Sequence, residues 1–182
     1  MAENHQENLI AGLMFVQYVK DKMQEEGLTI PHSQCLNVDL PLGIQETYKN
    51  LKQFLDSSTS TAYDIMTVAM EDDPMDQKLI MQQTIQTLLN TSDKTLLIAR
   101  ICVVFHYYYC NVMRIMNIGT GELDNFLCLC SEVFSVEVDK KVSSIGGWET
   151  FRPYQSTTTR MQDAYRRCCT WTKNKLHLNK DV

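Results

Sequence analysis

Residues 95–116 read TLLIARICVVFHYYYCNVMRIM, and no other stretch restricts the fold as tightly. A helix that is apolar nearly all round must be buried on every side, in a membrane or inside a protein domain. A membrane span needs about 20 apolar residues with few or no charges. Arg100 lies well inside this run, and His106 and Arg114 accompany it. The segment is therefore read as the core helix of a domain. The rest of the chain must then supply amphipathic elements to wrap it.

The remaining residues have that character. Only seven glycines and four prolines occur in 182 residues, which favours few turns and long helices. Residues 4–26 carry an N-terminal signature, Asn4 followed by Glu7, and then Leu9, Leu13, Val16 and Met23 at helical spacing. Gly27 can stop that helix. Residues 28–43, with two prolines and mixed polarity, read as an internal loop. A helix over 44–70 presents Tyr48, Leu51, Leu55, Ala62, Ile65, Met66 and Ala69, with SSTST at 57–61 expected to bend or break it. EDDP at 71–74 opens another helix, whose stripe is Met81, Ile85, Leu88 and Leu89. NTSDK, 90–94, is a turn before the core helix, and NIGTGE, 117–122, is the break after it. Leu123, Phe126, Leu127, Cys130, Val133 and Phe134 outline a further helix that closes at Gly146 and Gly147. Trp148 and Phe151 start a short segment, with Trp148 placed to cover the end of the bundle. A last helix over about 156–175 shows Met161, Tyr165, Cys168 and Trp171. No strand pattern and no internal repeat appears. The reading is a single all-α domain over 1–182.

Three stretches carry a family resemblance. GGWETF, 146–151, is close to a motif written GGW-[DE]-x-F; ARICVVF, 99–105, is similar to an apolar run that follows Asn-Trp-Gly-Arg; and NLIAGLMFVQYVKDKMQEEG, 8–27, looks like a first helix. Together they resemble the Bcl-2 family of apoptosis regulators. The resemblance implies a bundle of about eight helices, packed helix on helix around one buried apolar helix, with a hydrophobic surface groove. It also implies a partner: the amphipathic third-homology-motif helix of a pro-death family protein, read through anchors at helical spacing. Arg100 matches the family arginine that pairs with an aspartate of that helix, a role suited to a guanidinium fork. Ile65, Met66 and Ala69 fall where the family lines one groove wall, Ile85 and Leu89 fall on the other, and Val103 and Tyr107 follow Arg100 along the floor. Each of these is also an apolar stripe residue that plain core packing accounts for, and Arg100 is also readable as an arginine that snorkels to solvent.

The departures bear on partner choice. Leu97, Ile98 and Ala99 stand where the family has Asn-Trp-Gly. Ala99 adds a methyl at a tight crossing, and Leu97 removes a polar group. Overpacking such a contact costs about 1–3 kcal/mol, so the partner range is expected to be narrow. NLKQFLD, 50–56, is similar to the family's own third motif, but Leu55 replaces its glycine, which argues against a pro-death role. The divergent motifs, with no C-terminal transmembrane anchor in KNKLHLNKDV, look like those of a viral homologue.

The expected function is inhibition of apoptosis by sequestering that helix, in the host cytoplasm and peripherally at mitochondria. A homodimer that hides the groove would compete with ligand. The alternative within the fold is a viral modulator of innate immune signalling that does not use the groove. A basic last helix, with Arg160, Arg166, Arg167, Lys173 and Lys175 beside Trp171, is the feature that would suit acidic lipid or nucleic acid. A net charge of −5 makes the whole chain a poor polyanion binder, so no nucleic acid is expected, nor an integral membrane segment. The four histidines are scattered and no phosphate-cradling loop occurs, so neither an enzyme nor a cofactor is expected. Seven cysteines without zinc-site spacing read as reduced thiols, and no metal is expected.

Overall fold

A computed structural model describes residues 10–37, 39–62, 77–116, 120–151, 166–168 and 170. All regular structure among them is helical. The elements are α1 (Ile10–Glu25), a 3-10 turn (Cys35–Asn37), α2 (Leu42–Ala62), α3 (Gln77–Leu88), α4 (Lys94–Met116), α5 (Thr120–Ser143) and a second 3-10 turn (Trp148–Phe151). Residues 166–168 and 170 are also helical, with Cys168 buried. The expected all-α class is observed.

α4 is the core. It is long and apolar enough to cross a membrane, yet 78% of its most apolar stretch is buried inside the fold. α1, α2, α3 and α5 all pack on it. Aromatic rings fill the space between α1, α4 and α5. Phe15 meets Phe134 edge-on at 4.7 Å and Phe105 at 5.5 Å, while Phe105 stacks on Phe134 at 5.6 Å. Tyr18 meets Tyr109 edge-on at 5.7 Å. Offset and edge-on contacts of this kind add about 0.5–1.5 kcal/mol each beyond area burial. His106, 1% exposed, lies within this layer with Nδ1 3.3 Å from the Tyr18 hydroxyl. It is a packed histidine, as its place in the core helix implies.

The expected stripes on α3 and α5 are buried, as are Tyr48, Leu51 and Leu55 of the stripe on α2; the Ala62 side chain and the rest of that stripe lie outside what is described. On α1 the buried face is wider than the stripe read from sequence. Met14, Phe15, Tyr18 and Val19 are fully covered, while Leu13 is half-buried. Such breadth is needed because α1 touches both α4 and α5. Its contact with α5 is close: a Cβ on Gly12 would stand 2.7 Å from the Ser131 carbonyl oxygen.

Three features differ from expectation. α2 starts at Leu42, so Leu42 and Gly43 belong to it and not to the 28–43 loop. α2 runs unbroken through 57–61 to Ala62, because a run of serines and threonines weakens a helix without supplying a stop. α5 starts at Thr120, so Gly121 and Glu122 belong to the helix and not to the preceding break. The loop over 28–41 is not featureless: its 3-10 turn buries Leu36, and the Ser33 hydroxyl accepts the Leu36 N–H at 3.2 Å.

The paired glycines perform the reversal expected of them. Gly146 and Gly147 have φ of 107° and 81°, a region that strains any residue with a Cβ. Gly147 N–H donates to the Val142 carbonyl at 3.0 Å and Gly146 N–H to the Ser143 carbonyl at 3.2 Å. This pair of bonds closes α5 as a Schellman cap. The turn delivers Trp148 back onto the helix it has just left.

A surface network ties α1 to α2. Lys22 reaches Glu25 and Asp56, each at 2.9 Å, and Lys52 reaches Asp56 at 2.8 Å and Glu25. The Tyr48 hydroxyl donates to Asp21 at 2.6 Å. Exposed pairs contribute little individually, about 0–1 kcal/mol each. Their service here is to fix the register of α2 along α1.

Candidate functional site: the α3–α4 hairpin and the GGW turn

The α3–α4 hairpin is set by its connecting residues. Asp93 begins α4 as an N-cap, its Oδ1 accepting the Leu96 N–H at 3.0 Å. Arg100 follows on the second turn. From Leu97 to Tyr109 every residue of α4 is buried except Arg100, which is half-buried. Its guanidinium turns back toward the end of α3. Nη1 donates to the Leu88 carbonyl at 2.9 Å and to the Asn90 carbonyl at 3.0 Å. A cation on the last carbonyls of a helix complements its dipole and satisfies acceptors that the helix leaves open. Arg100 thus does more than snorkel: it closes α3 against α4.

The other expected groove residues divide in two. Leu97, Ala99, Val103 and Ile85 are fully buried, Leu89 is 2% exposed and Tyr107 is 6% exposed. All six belong to the hydrophobic core, alongside Leu88 and Ile98. In this conformation they are packed against the chain itself. Ile65, Met66 and Ala69 lie outside the described residues, as do Pro74 and most of the expected last helix.

One surface depression of about 310 Å³ lies beside this hairpin. Gln86, Leu89 and Asn90 line one side, and Glu137, Lys140, Lys141 and Ser144 of the α5 end line the other. Gln86 Nε2 donates across it to Glu137 at 3.0 Å. Leu89 is its apolar floor and its rim is polar. Its size does not suit a whole amphipathic helix.

The GGW turn builds a second constellation, which sequence reasoning missed in part. Asp139, 3% exposed, accepts the Trp148 indole N–H at 2.6 Å through Oδ1. Both of its carboxylate oxygens also accept the Ala11 N–H, each at 3.1 Å. One buried carboxylate therefore caps the first turn of α1, anchors Trp148 and belongs to α5. Asp139 reads in sequence as an ordinary acid. The available signal is its place one residue after Val138 and three before Val142, on the buried side of α5. Trp148, 8% exposed, is structural in this setting.

Two buried groups of opposite tendency follow from this layout. Burial raises the Asp139 carboxyl from 3.8 to about 6, against the lowering effect of the Trp148 and backbone hydrogen bonds. Burial, with a smaller push from the Lys22 charge, lowers His106 from 6.5 to about 4. The Asp139 contribution to stability is complete below about pH 4 and is lost as pH rises through about 6. The His106 contribution is complete above about pH 6.5 and is lost as pH falls through about 4. Each spans roughly 3 kcal/mol, so the two offset each other across the same window. Melting curves at pH 6.5 and pH 4 should show it. Asp139→Asn is expected to lose stability on acidification more steeply than wild type, and His106→Gln less steeply. Equal slopes in all three proteins would refute the assignment.

Comparison of the chain with protein-family models, with curated proteins and with solved structures finds no match. Among the described residues no cluster of three or more histidine, cysteine, aspartate or glutamate side chains is arranged to hold a metal ion. What these residues form is an all-helical bundle whose central helix presents one half-buried arginine within its buried stretch.

Proposed function

We propose that this protein restrains apoptosis by holding the third-motif helix of a pro-death Bcl-2 family protein against the α3–α4 hairpin. The observation that carries the reading is the setting of Arg100. On a helix otherwise buried from Leu97 to Tyr109, it alone is half-buried, and its guanidinium lies beside the end of α3, with Nη1 on the Leu88 carbonyl. A carboxylate on a docking helix could meet it there through charge-assisted hydrogen bonds. The order of helices and the Gly-Gly-Trp turn support the same reading. It acts in the cytoplasm, at the mitochondrial surface, by sequestration and without catalysis.

The narrow partner range is retained in this proposal and gains a reason. Ala99 and Leu97 are fully covered, so a ligand backbone reaches them only if neighbouring segments part. That opening is a cost every ligand bears, and poor fits do not offset it. The same burial favours the second reading, an immune-signalling modulator that leaves this face closed.

Calorimetry with a panel of third-motif peptides separates the two. Sub-micromolar binding to one or a few peptides is expected, with Arg100→Ala weakening it by about 10–100-fold. Because Arg100 also closes α3, the variant's helicity and melting must be measured beside wild type. Absence of binding to every peptide, by a folded monomer, would overturn the groove reading in favour of the second.

A further inference from the structure

The structure brings Cys35 and Cys128 together across a sequence separation of 93 residues, their Cα atoms 6.4 Å apart, a spacing that a disulfide can span. The reading of the seven cysteines as reduced thiols does not foresee this pairing. Composition cannot pair residues so far apart; the fold does, by seating the 3-10 turn of the 28–41 loop on both α1 and α5. Cys102, Cys130 and Cys168 are buried, and Cys110 is half-buried.

Three placements set this pair apart from a locked internal bond. Cys128 is exposed on α5, and Cys35 is half-buried, so a small thiol can reach the bond. Cys35 Sγ also lies 3.9 Å from the carbonyl oxygen of Asp124, one helical turn before Cys128. That oxygen is a ready acceptor for the Cys35 thiol once the bond opens. The turn has a second anchor that needs no sulfur, since Leu36 is 3% exposed in the core. Opening the bond therefore releases a tether without dismantling the turn.

We propose that Cys35 and Cys128 form a thiol–disulfide switch that responds to small thiols of the glutathione class. A thiolate attacks the exposed Cys128 sulfur, forming a mixed disulfide, and Cys35 leaves as a thiolate that takes up a proton. A second thiolate attacks the mixed disulfide at its small-molecule sulfur and frees Cys128. Overall, one protein disulfide and two small thiols give one protein dithiol and one small disulfide, so atoms and electrons balance. The closed form fastens the loop between α1 and α2 to α5. The open form leaves that loop held by Leu36 and by the Ser33 hydroxyl on the Leu36 amide.

The test uses the full chain equilibrated in glutathione buffers of graded reduced-to-oxidised ratio, quenched with acid and alkylated under denaturing conditions. Mass spectrometry should show two fewer labels at the oxidised end than at the reduced end. The linked peptides should carry Cys35 and Cys128. Full re-reduction should restore both labels. The melting temperature should fall by roughly 5–15 °C on reduction. Cys128→Ser and Cys35→Ser should each melt near the reduced wild type and no longer respond to the buffer. Circular dichroism of both variants and of reduced wild type should keep the same helix content. The proposal is overturned if the bond persists at every ratio, if it never forms in the folded protein, or if the linked peptides carry other cysteines.

Discussion

Replacing Gly12 by alanine is expected to destabilise the protein by about 1–2 kcal/mol, because an overpacking cost near the top of the usual range of about 1–3 kcal/mol outweighs the roughly 1 kcal/mol by which alanine is the better helix former. The added Cβ would stand 2.5 Å from Ser131 Oγ, 2.7 Å from the Ser131 carbonyl oxygen and 3.0 Å from Ser135 Oγ. The hydroxyls can rotate aside; the carbonyl cannot move without α5. Helices α1 and α5 therefore must separate, and the Phe15–Phe134 contact at 4.7 Å opens with them. Thermal unfolding should register this as a drop of roughly 2–8 °C for a chain of this size. Removing the Ser131 hydroxyl alongside, in Gly12→Ala with Ser131→Ala, should recover only part of the loss. Full recovery would place the conflict at the side chain and refute the account of a backbone contact.

Asp139→Ala should cost about 3–5 kcal/mol. The substitution strands two buried donors at once, the Trp148 indole N–H and the Ala11 amide. Each stranded group carries a desolvation penalty of about 1–3 kcal/mol. It also unfastens the start of α1 from the end of α5 and from the glycine turn. Trp148→Phe isolates one part of this. It keeps most of the apolar volume but removes the donor that holds the Asp139 carboxyl down, so that carboxyl should rise above about 6. Denaturant titration of both variants near pH 7, with nuclear magnetic resonance titration of the Asp139 carboxyl, checks the pair. Unchanged stability in Asp139→Ala would mean that Trp148 and Ala11 find other acceptors.

Much of this fold is legible in the sequence because burial on all sides has few solutions. The run over 95–116 could only be a core helix once Arg100 argued against a membrane span, and stripes such as Met81, Ile85 and Leu88 could only face it. Gly146 and Gly147 mark a turn for a local steric reason, and local reasons survive in sequence. Gly12, Asp139 and the Cys35–Cys128 pair are different. Each takes its meaning from a partner far along the chain: Ser131 for Gly12, Ala11 for Asp139, and a cysteine 93 residues away. A helical glycine looks like a defect and a helical aspartate like a surface charge until that partner is placed. Arg100 falls between the two cases. Its motif suggests a ligand, while its bonds to the carbonyls of Leu88 and Asn90 depend on how the hairpin closes. The apolar groove residues are the hardest to read, because the same helical spacing serves a wall and a core.

The measurement that bears most directly on the proposed function is backbone chemical-shift mapping of the full chain with the tightest-binding third-motif peptide. The account predicts the largest shifts along 85–90 and 96–107, with the Arg100 guanidinium resonance moving as its bonds to α3 give way to a ligand carboxylate. A peptide Asp→Ala variant should leave the Arg100 signal unmoved. Binding that shifts only the GGW turn or the α5 surface, with Arg100 undisturbed by either peptide, would contradict it.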